Sequence, residues 1–212
     1  ATESGGGHSP RGFLSRSCGF LPEVPPLTSM APAHRAWDQA AAMLPELIAT
    51  QRVRQELAGL PILSGEVESL AEGYLWRAAL LLGYMAHAYM HSASEKVPLP
   101  DCIALPWTQT YRRLGRAHPG LTMSDYFCYN WTPVDPSGPR WVENMGLLVA
   151  WFGNDTERIF KTSTTEMHGR SGPLVDAAAN LQDAVRQRDV HGAKVEPALR
   201  MAYARALMGM QR

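Results

Sequence analysis

Apolar positions along the chain fall into blocks that mostly repeat at helical spacing. Residues 1–17 are an exception: Gly5, Gly6 and Gly7 sit among polar residues without periodicity, which reads as a flexible tail. Pro22, Pro25, Pro26 and Pro32 forbid a regular helix over residues 20–32 and predict an extended segment laid over the surface. Trp37, Ala40, Ala41, Leu44, Leu47 and Ile48 then form one stripe of a helix over residues 33–57. Pro45 should kink or divide it, and Gly59 and Pro61 punctuate its end. The strongest pattern follows. Val67, Leu70, Ala71, Tyr74, Leu75, Ala78, Leu81, Leu82, Met85, Ala88 and Tyr89 predict a long central helix packed on several neighbours.

A polar loop over residues 92–100 leads to two shorter helical segments, 103–114 and 122–130, the second with Thr122 or Ser124 as N-cap. Between Trp131 and Gly153 the texture becomes turn-rich, with Pro133, Pro136, Gly138 and Pro139. The apolar run 146–152 reads equally as a short buried strand or a buried helical turn. Asp155 can cap a helix running to about His168, and Gly169, Gly172 and Pro173 separate it from another over 174–188. Pro197 opens a last helix through Met210. The expected class is all-α, with at most a small β patch near residues 140–152. The expected division is a tail (1–17), a small helical domain (18–153) and the first helices of a second domain (154–212).

Composition narrows the function classes. Twenty basic and twenty acidic side chains cancel, which removes the usual electrostatic case for nucleic acid or an anionic membrane as partner. The apolar run 78–90 is too short to span a bilayer and contains His87. Cys18, Cys102 and Cys128 offer neither a disulfide framework nor a metal knuckle, and the polar start lacks the core of a signal peptide. The expected compartment is therefore the cytoplasm.

Local chemistry is sparse. His87 and His91 lie four apart on the long helix, where both imidazoles can reach one ion; without a third ligand in the pattern, a structural pair is the simpler reading. Residues 162–168, Thr-Ser-Thr-Thr-Glu-Met-His, crowd hydroxyls into a helix, where such side chains compete for backbone partners. That run is either a hydrated face or the polar wall of a ligand site. Ser163 and His168 face different ways, so no local nucleophile–base dyad is expected. Arg205 falls off the apolar stripe of the last helix and by periodicity alone is a solvated charge.

The order of short phrases carries more. Gly-Phe-Leu-Pro (19–22), Met-Leu-Pro-Glu-Leu-Ile (43–48), Leu-Pro-Asp-Cys-Ile-Ala-Leu-Pro (99–106), Leu-Thr-Met-Ser-Asp-Tyr-Phe-Cys-Tyr-Asn-Trp (121–131) and Glu-Asn-Met (143–145) occur in sequence. In that order and at those gaps the chain resembles the N-terminal part of an indoleamine 2,3-dioxygenase, over about residues 18–210. The resemblance implies an all-α enzyme using heme b and O2 that opens the indole C2–C3 bond of tryptophan or a substituted indole. By the same resemblance Met123 and Tyr126 line the indole pocket and Phe160 packs on the substrate. Ser163, or Thr162 one position away, supplies the distal hydroxyl, and Arg205 pairs with the substrate carboxylate.

Two departures from the family point to an altered indole substrate: Met123 stands where an aromatic is usual, and the polar run 162–165 replaces a Leu/Val-rich stretch. None of the seven histidines lies in a context matching the family's proximal heme ligand. The expectation is a second polypeptide carrying the C-terminal, heme-ligating half, with a heme-free helical binding or interaction module as the rival reading.

Overall fold

The computed structural model of the protein describes Ser15 and residues 18–186. Its architecture is mostly helical and is organised around α4, Glu72–His91, whose side chains from Leu75 to Ala86 are all buried. A helix that is apolar on every side needs neighbours on every side. α1 (Arg35–Ala42), α2 (Leu44–Ala49) and α3 (Val53–Ala58) pack on it, as does α5 (Asp101–Arg113). Trp37, Leu44, Leu47, Leu57, Ile103 and Tyr111 close the core around it.

The stripe 67–89 is longer than the helix it predicts. Residues 64–69 form a 3-10 turn and α4 starts only at Glu72. The cause is tertiary: Arg113 on α5 donates to the carbonyls of both Val67 and Leu70, 2.7 Å each. The segment 33–57 is broken twice. Pro45 divides α1 from α2, as its ring dictates. The second break was not legible. Gln51 takes φ 57° while the N–H groups of Gln51 and Arg52 return to the carbonyls of Ile48 and Leu47. This is the left-handed helix stop usually given to glycine.

Two buried ion pairs fix the periphery. Arg77 of α4 donates to Asp38 of α1 at 2.7 and 3.0 Å, and the other Asp38 oxygen accepts the N–H of Met30 at 2.6 Å. The proline-rich segment is thereby tied to two helices at once. Asp125, wholly buried, accepts two bonds from Arg116 (2.7 and 2.9 Å) and further ones from the N–H and hydroxyl of Thr122. Thr122 in turn accepts from the Asp125 N–H at 3.2 Å. This reciprocal cap starts a π-helical turn over Ser124–Cys128, shorter than the segment 122–130 expected as helix.

Among the described residues the β content is one antiparallel pair of strands, β1 (Thr132–Pro133) with β2 (Met145–Gly146), register Thr132↔Gly146, and an isolated antiparallel bridge between Ser15 and Gly19. Only β2 lies in the anticipated patch. The remaining apolar run 147–152 is irregular, neither strand nor helical turn, because a side chain takes its backbone partners. The amide of Asn130 accepts the Val149 N–H (2.8 Å) and donates to the Val149 carbonyl (2.9 Å). α6 (Asp155–Arg170) follows, capped by Asn154 rather than Asp155, and α7 (Gly172–Arg186) begins after a one-residue break at Ser171. Gly19, at φ +62°, lies so close to the end of α6 that a Cβ there would sit 2.3 Å from the His168 carbonyl oxygen. Phe20 N–H bonds that same oxygen at 3.1 Å, which docks the segment beginning at Gly19 onto α6.

Cys102 and Cys128 are buried free thiols. Burial, then the nearby Asp125 carboxylate, pushes the Cys128 thiol up to about 12, an inert setting. Among the described residues no helix is long and apolar enough to cross a membrane. Arg205 and the expected helix from Pro197 to Met210 lie outside the described residues.

Removing one partner of a buried ion pair strands the other charge. Asp125→Ala should therefore lower unfolding stability in urea by about 3–5 kcal/mol, with Arg116 left unpaired. A loss under about 1 kcal/mol would show that the Thr122–Cys128 segment does not hang on this pair.

Candidate functional site

α6 has two faces that do different work. Glu157, Lys161, Thr162 and Thr165 point inward and are buried, at the spacing of one helical stripe. Ile159, Phe160, Ser163 and Met167 form the opposite strip and are exposed, Phe160 by 60 % and Met167 by 52 %.

The inner face holds an arrangement the sequence reading missed. Lys161 has no exposed surface, yet carries an ammonium group. Its Nζ donates to the Tyr84 hydroxyl at 2.7 Å and to Glu157 Oε1, and lies 4.7, 4.6 and 5.1 Å from the ring centres of Tyr84, Tyr126 and Trp151. Three aromatic faces and a carboxylate thus replace its water. Glu157 is equally committed: it accepts the N–H groups of Trp151 (2.9 Å), Phe152 (2.8 Å) and Gly153 (3.0 Å). Asn154 caps the helix by accepting the Glu157 N–H at 2.9 Å. Tyr84 also accepts from Asn130 at 2.7 Å, which joins this cluster to the Val149 backbone.

Burial works against both charges. It pulls Lys161 below its ordinary range, with the hydrogen bond and charge of Glu157 opposing. It pushes Glu157 up, but the Lys161 bond and the N–H groups of Trp151 and Phe152 outweigh it and hold the carboxyl low. Burial, then the charge of Glu157, raises Tyr126. The signals were two short spacings: Asn154-x-x-Glu157, a helix-start signature, and Glu157-x-x-x-Lys161, an i,i+4 pair.

The hydroxyl run resolves into neither a hydrated face nor a free polar wall. Each hydroxyl is placed to donate to the carbonyl four residues back: Thr162 to Arg158 (2.8 Å), Ser163 to Ile159 (2.6 Å), Thr164 to Phe160 (3.2 Å) and Thr165 to Lys161 (2.9 Å). Thr165 lies equally close to the Phe127 carbonyl, at 2.9 Å. Thr162 and Ser163 differ in position: Thr162 has no exposed surface, whereas Ser163 shares the outer strip with Phe160.

Among the residues the resemblance places in the pocket, Tyr126 and Phe160 are linked through Phe127, whose ring lies 4.7 Å from Tyr126 and 6.1 Å from Phe160, centre to centre. Met123 is 67 % exposed, just before the π-helical turn. His87 and His91 sit apart from this group, on a pocket of about 710 Å³ walled by Ile48, Val53, Trp151 and Phe152. Among the described residues no three His, Cys, Asp or Glu side chains converge as a metal site.

Glu157→Ala leaves Lys161 buried without its carboxylate and should cost about 3–5 kcal/mol, whereas Lys161→Met, which keeps the packing, should cost clearly less. The pH dependence has a defined sign. A carboxyl held below its ordinary 4.5 stabilises fully above that value, and the contribution is lost as pH falls through the lower folded-state value. Wild type should therefore lose more stability between pH 5 and pH 3 than Glu157→Gln, by urea melts at each pH (on the order of 1 kcal/mol). Equal acid sensitivity would refute the linkage.

A sequence profile of the family described as indoleamine 2,3-dioxygenase matches residues 13–205. The chain is 31 % identical over 168 residues to "Indoleamine 2,3-dioxygenase 1" of Rattus norvegicus, covering 77 % of this chain and 40 % of that protein. It is 31 % identical over 169 residues to the Mus musculus protein of the same name, covering 78 % of this chain and 41 % of that one. It is 27 % identical over 186 residues to "Indoleamine 2,3-dioxygenase nanC" of Aspergillus nanangensis, covering 84 % and 44 %. The chain therefore spans about two fifths of the length of these relatives. The all-α core, the order of the matched phrases and the extent of the profile match agree: the chain belongs to the indoleamine 2,3-dioxygenase family.

Proposed function

We propose that this chain forms the distal, substrate-facing side of a heme-dependent dioxygenase acting on the indole ring of tryptophan or a substituted tryptophan. The observation that carries this is the outer strip of α6. Phe160, Ser163 and Met167 stay exposed on a helix whose opposite face is locked into the core, on a chain that belongs to this family. An exposed run of large apolar side chains on a rigid helix asks for a cover. A flat porphyrin and an indole are apolar planes suited to such a wall, so the residues present fit one side of a heme pocket.

Heme b, when bound, would supply the iron that activates O2 for insertion across the indole C2–C3 bond. The chain's own residues bind and orient. Phe160, supported from behind by Phe127, gives the indole a ring to pack against, and Tyr126 and Met123 shape the neighbouring wall. Ser163, rather than the enclosed Thr162, presents an oxygen at that surface. Its proton is directed to the Ile159 carbonyl, so it serves as an acceptor unless it rotates. Arg205 pairs its planar fork with the substrate carboxylate. The apolar strip keeps water from the reacting bond. The proximal iron ligand comes from outside the matched region. An exposed Met at position 123 favours an indole bearing a substituent over plain tryptophan.

The test is the absorption spectrum of the chain with hemin, alone and together with the polypeptide that copurifies with it, followed by tryptophan, substituted tryptophans and O2. The proposal expects a shifted Soret band and an N-formylkynurenine-type product in the assembled sample. No Soret shift in either sample would leave a heme-free binding module as the better reading. Within the active assembly, Phe160→Ala should weaken indole affinity by about 1–3 kcal/mol while changing stability by no more than about 0.5 kcal/mol. Arg205→Ala should weaken binding of tryptophan but not of indole, which has no carboxylate. Equal losses for both ligands would remove that role.

A further inference from the structure

The pocket beside the end of α4 is separate from the outer strip of α6 and has its own chemistry. It encloses about 710 Å³ between α2, α3, the last turn of α4 and the 151–152 connector, lined by Ile48, Val53, Ala88, Trp151 and Phe152 with Gln51, His87, His91 and Ser92 as its polar groups. The pocket walls are apolar and few in polar atoms, the usual make-up of a small-molecule or cofactor site.

Two of its polar groups are imidazoles on adjacent turns of one helix. The rings of His87 and His91 are 5.8 Å apart, centre to centre, and tilted by 40°. His87 also faces Trp151 at 6.5 Å. Neither ring makes a hydrogen bond or an ion pair with another described residue; His87 is half-buried and His91 exposed, so both rings are open to a ligand from the pocket side. Gln51, in a left-handed backbone conformation at φ 57°, lines the same pocket.

We propose that His87 and His91 chelate one late first-row divalent ion, Cu²⁺, Ni²⁺ or Zn²⁺, at the rim of this pocket. Imidazole nitrogens sit at ~2 Å from such ions, so a single ion spans the two rings with small side-chain rotations. The pocket lining contains no carboxylate or thiolate, which disfavours Mg²⁺ and Ca²⁺ and leaves the neutral oxygens of Gln51 and Ser92 to complete the coordination. The remaining positions open into the apolar pocket, where a small ligand with a nitrogen or oxygen donor can bind. This site does not depend on the dioxygenase reading, because no residue of the α6 strip takes part.

The experiment is calorimetric titration of the metal-free chain, as the 212-residue protein, with Cu²⁺, Ni²⁺, Zn²⁺ and Mg²⁺. One saturable ion per chain is expected, tightest for Cu²⁺ and absent for Mg²⁺. His87→Ala and His91→Ala should each weaken it by about tenfold or more, and His118→Ala should not change it. The copper-loaded wild type should show imidazole nitrogen coupling by electron paramagnetic resonance. Zn²⁺ should shield His87 and His91, but not His118, from diethylpyrocarbonate, a readout that needs no variant. Wild-type affinity in either single variant, or unchanged labelling of both rings, overturns the proposal.

Discussion

Lys161 sets the terms for this half of the molecule. An ammonium group with no exposed surface is tolerated only if something replaces its water, and here a carboxylate, a phenol and three ring faces do so. Satisfying it fixes the roll of α6 about its axis. Satisfying Glu157 in turn fixes the connector before the helix, because three consecutive N–H groups converge on its carboxylate. The strip Phe160–Ser163–Met167 is exposed as a consequence, since a helix with one face so committed must present the other. The same cluster places Trp151 and Phe152 as walls of the pocket near His87 and His91. Two separate candidate sites therefore share one anchor.

Much of the fold was legible from spacing. The wide apolar stripe over 67–89 correctly implied a central helix, Pro45 a break, and the glycines at 169 and 172 a junction between helices. Two of the errors have a common physical origin: backbone groups claimed from a distance. Arg113 takes the carbonyls of Val67 and Leu70, so the stripe outlasts the helix. Asn130 takes both backbone groups of Val149, so an apolar run that suits a strand stays irregular. Gln51 stops a helix in a conformation that local sequence would assign to glycine. None of these claims has a local signature.

Collinear phrases led to the family, and the density of hydroxyls in 162–165 marked α6 as unusual; Tyr126, Phe160 and Ser163 remain a proposal that rests on the family resemblance. What that density meant needed coordinates: all four hydroxyls turn back to their own helix, and the unusual feature is the lysine between them and Phe160. A charged residue in a helix reads as solvated by default, and only the surrounding tyrosines and tryptophan, distant in sequence, reverse that reading.

The central claim is that the outer strip of α6 is a wall covered in the working enzyme. Hydroxyl-radical footprinting of methionine reads it directly. In the chain alone, Met167 on the strip should oxidise readily while the enclosed Met85 and Met145 do not. In the proposed heme-loaded enzyme Met167 should become protected, and exposed Met43, between α1 and α2, should not change. Equal oxidation of Met167 before and after heme loading would contradict the account.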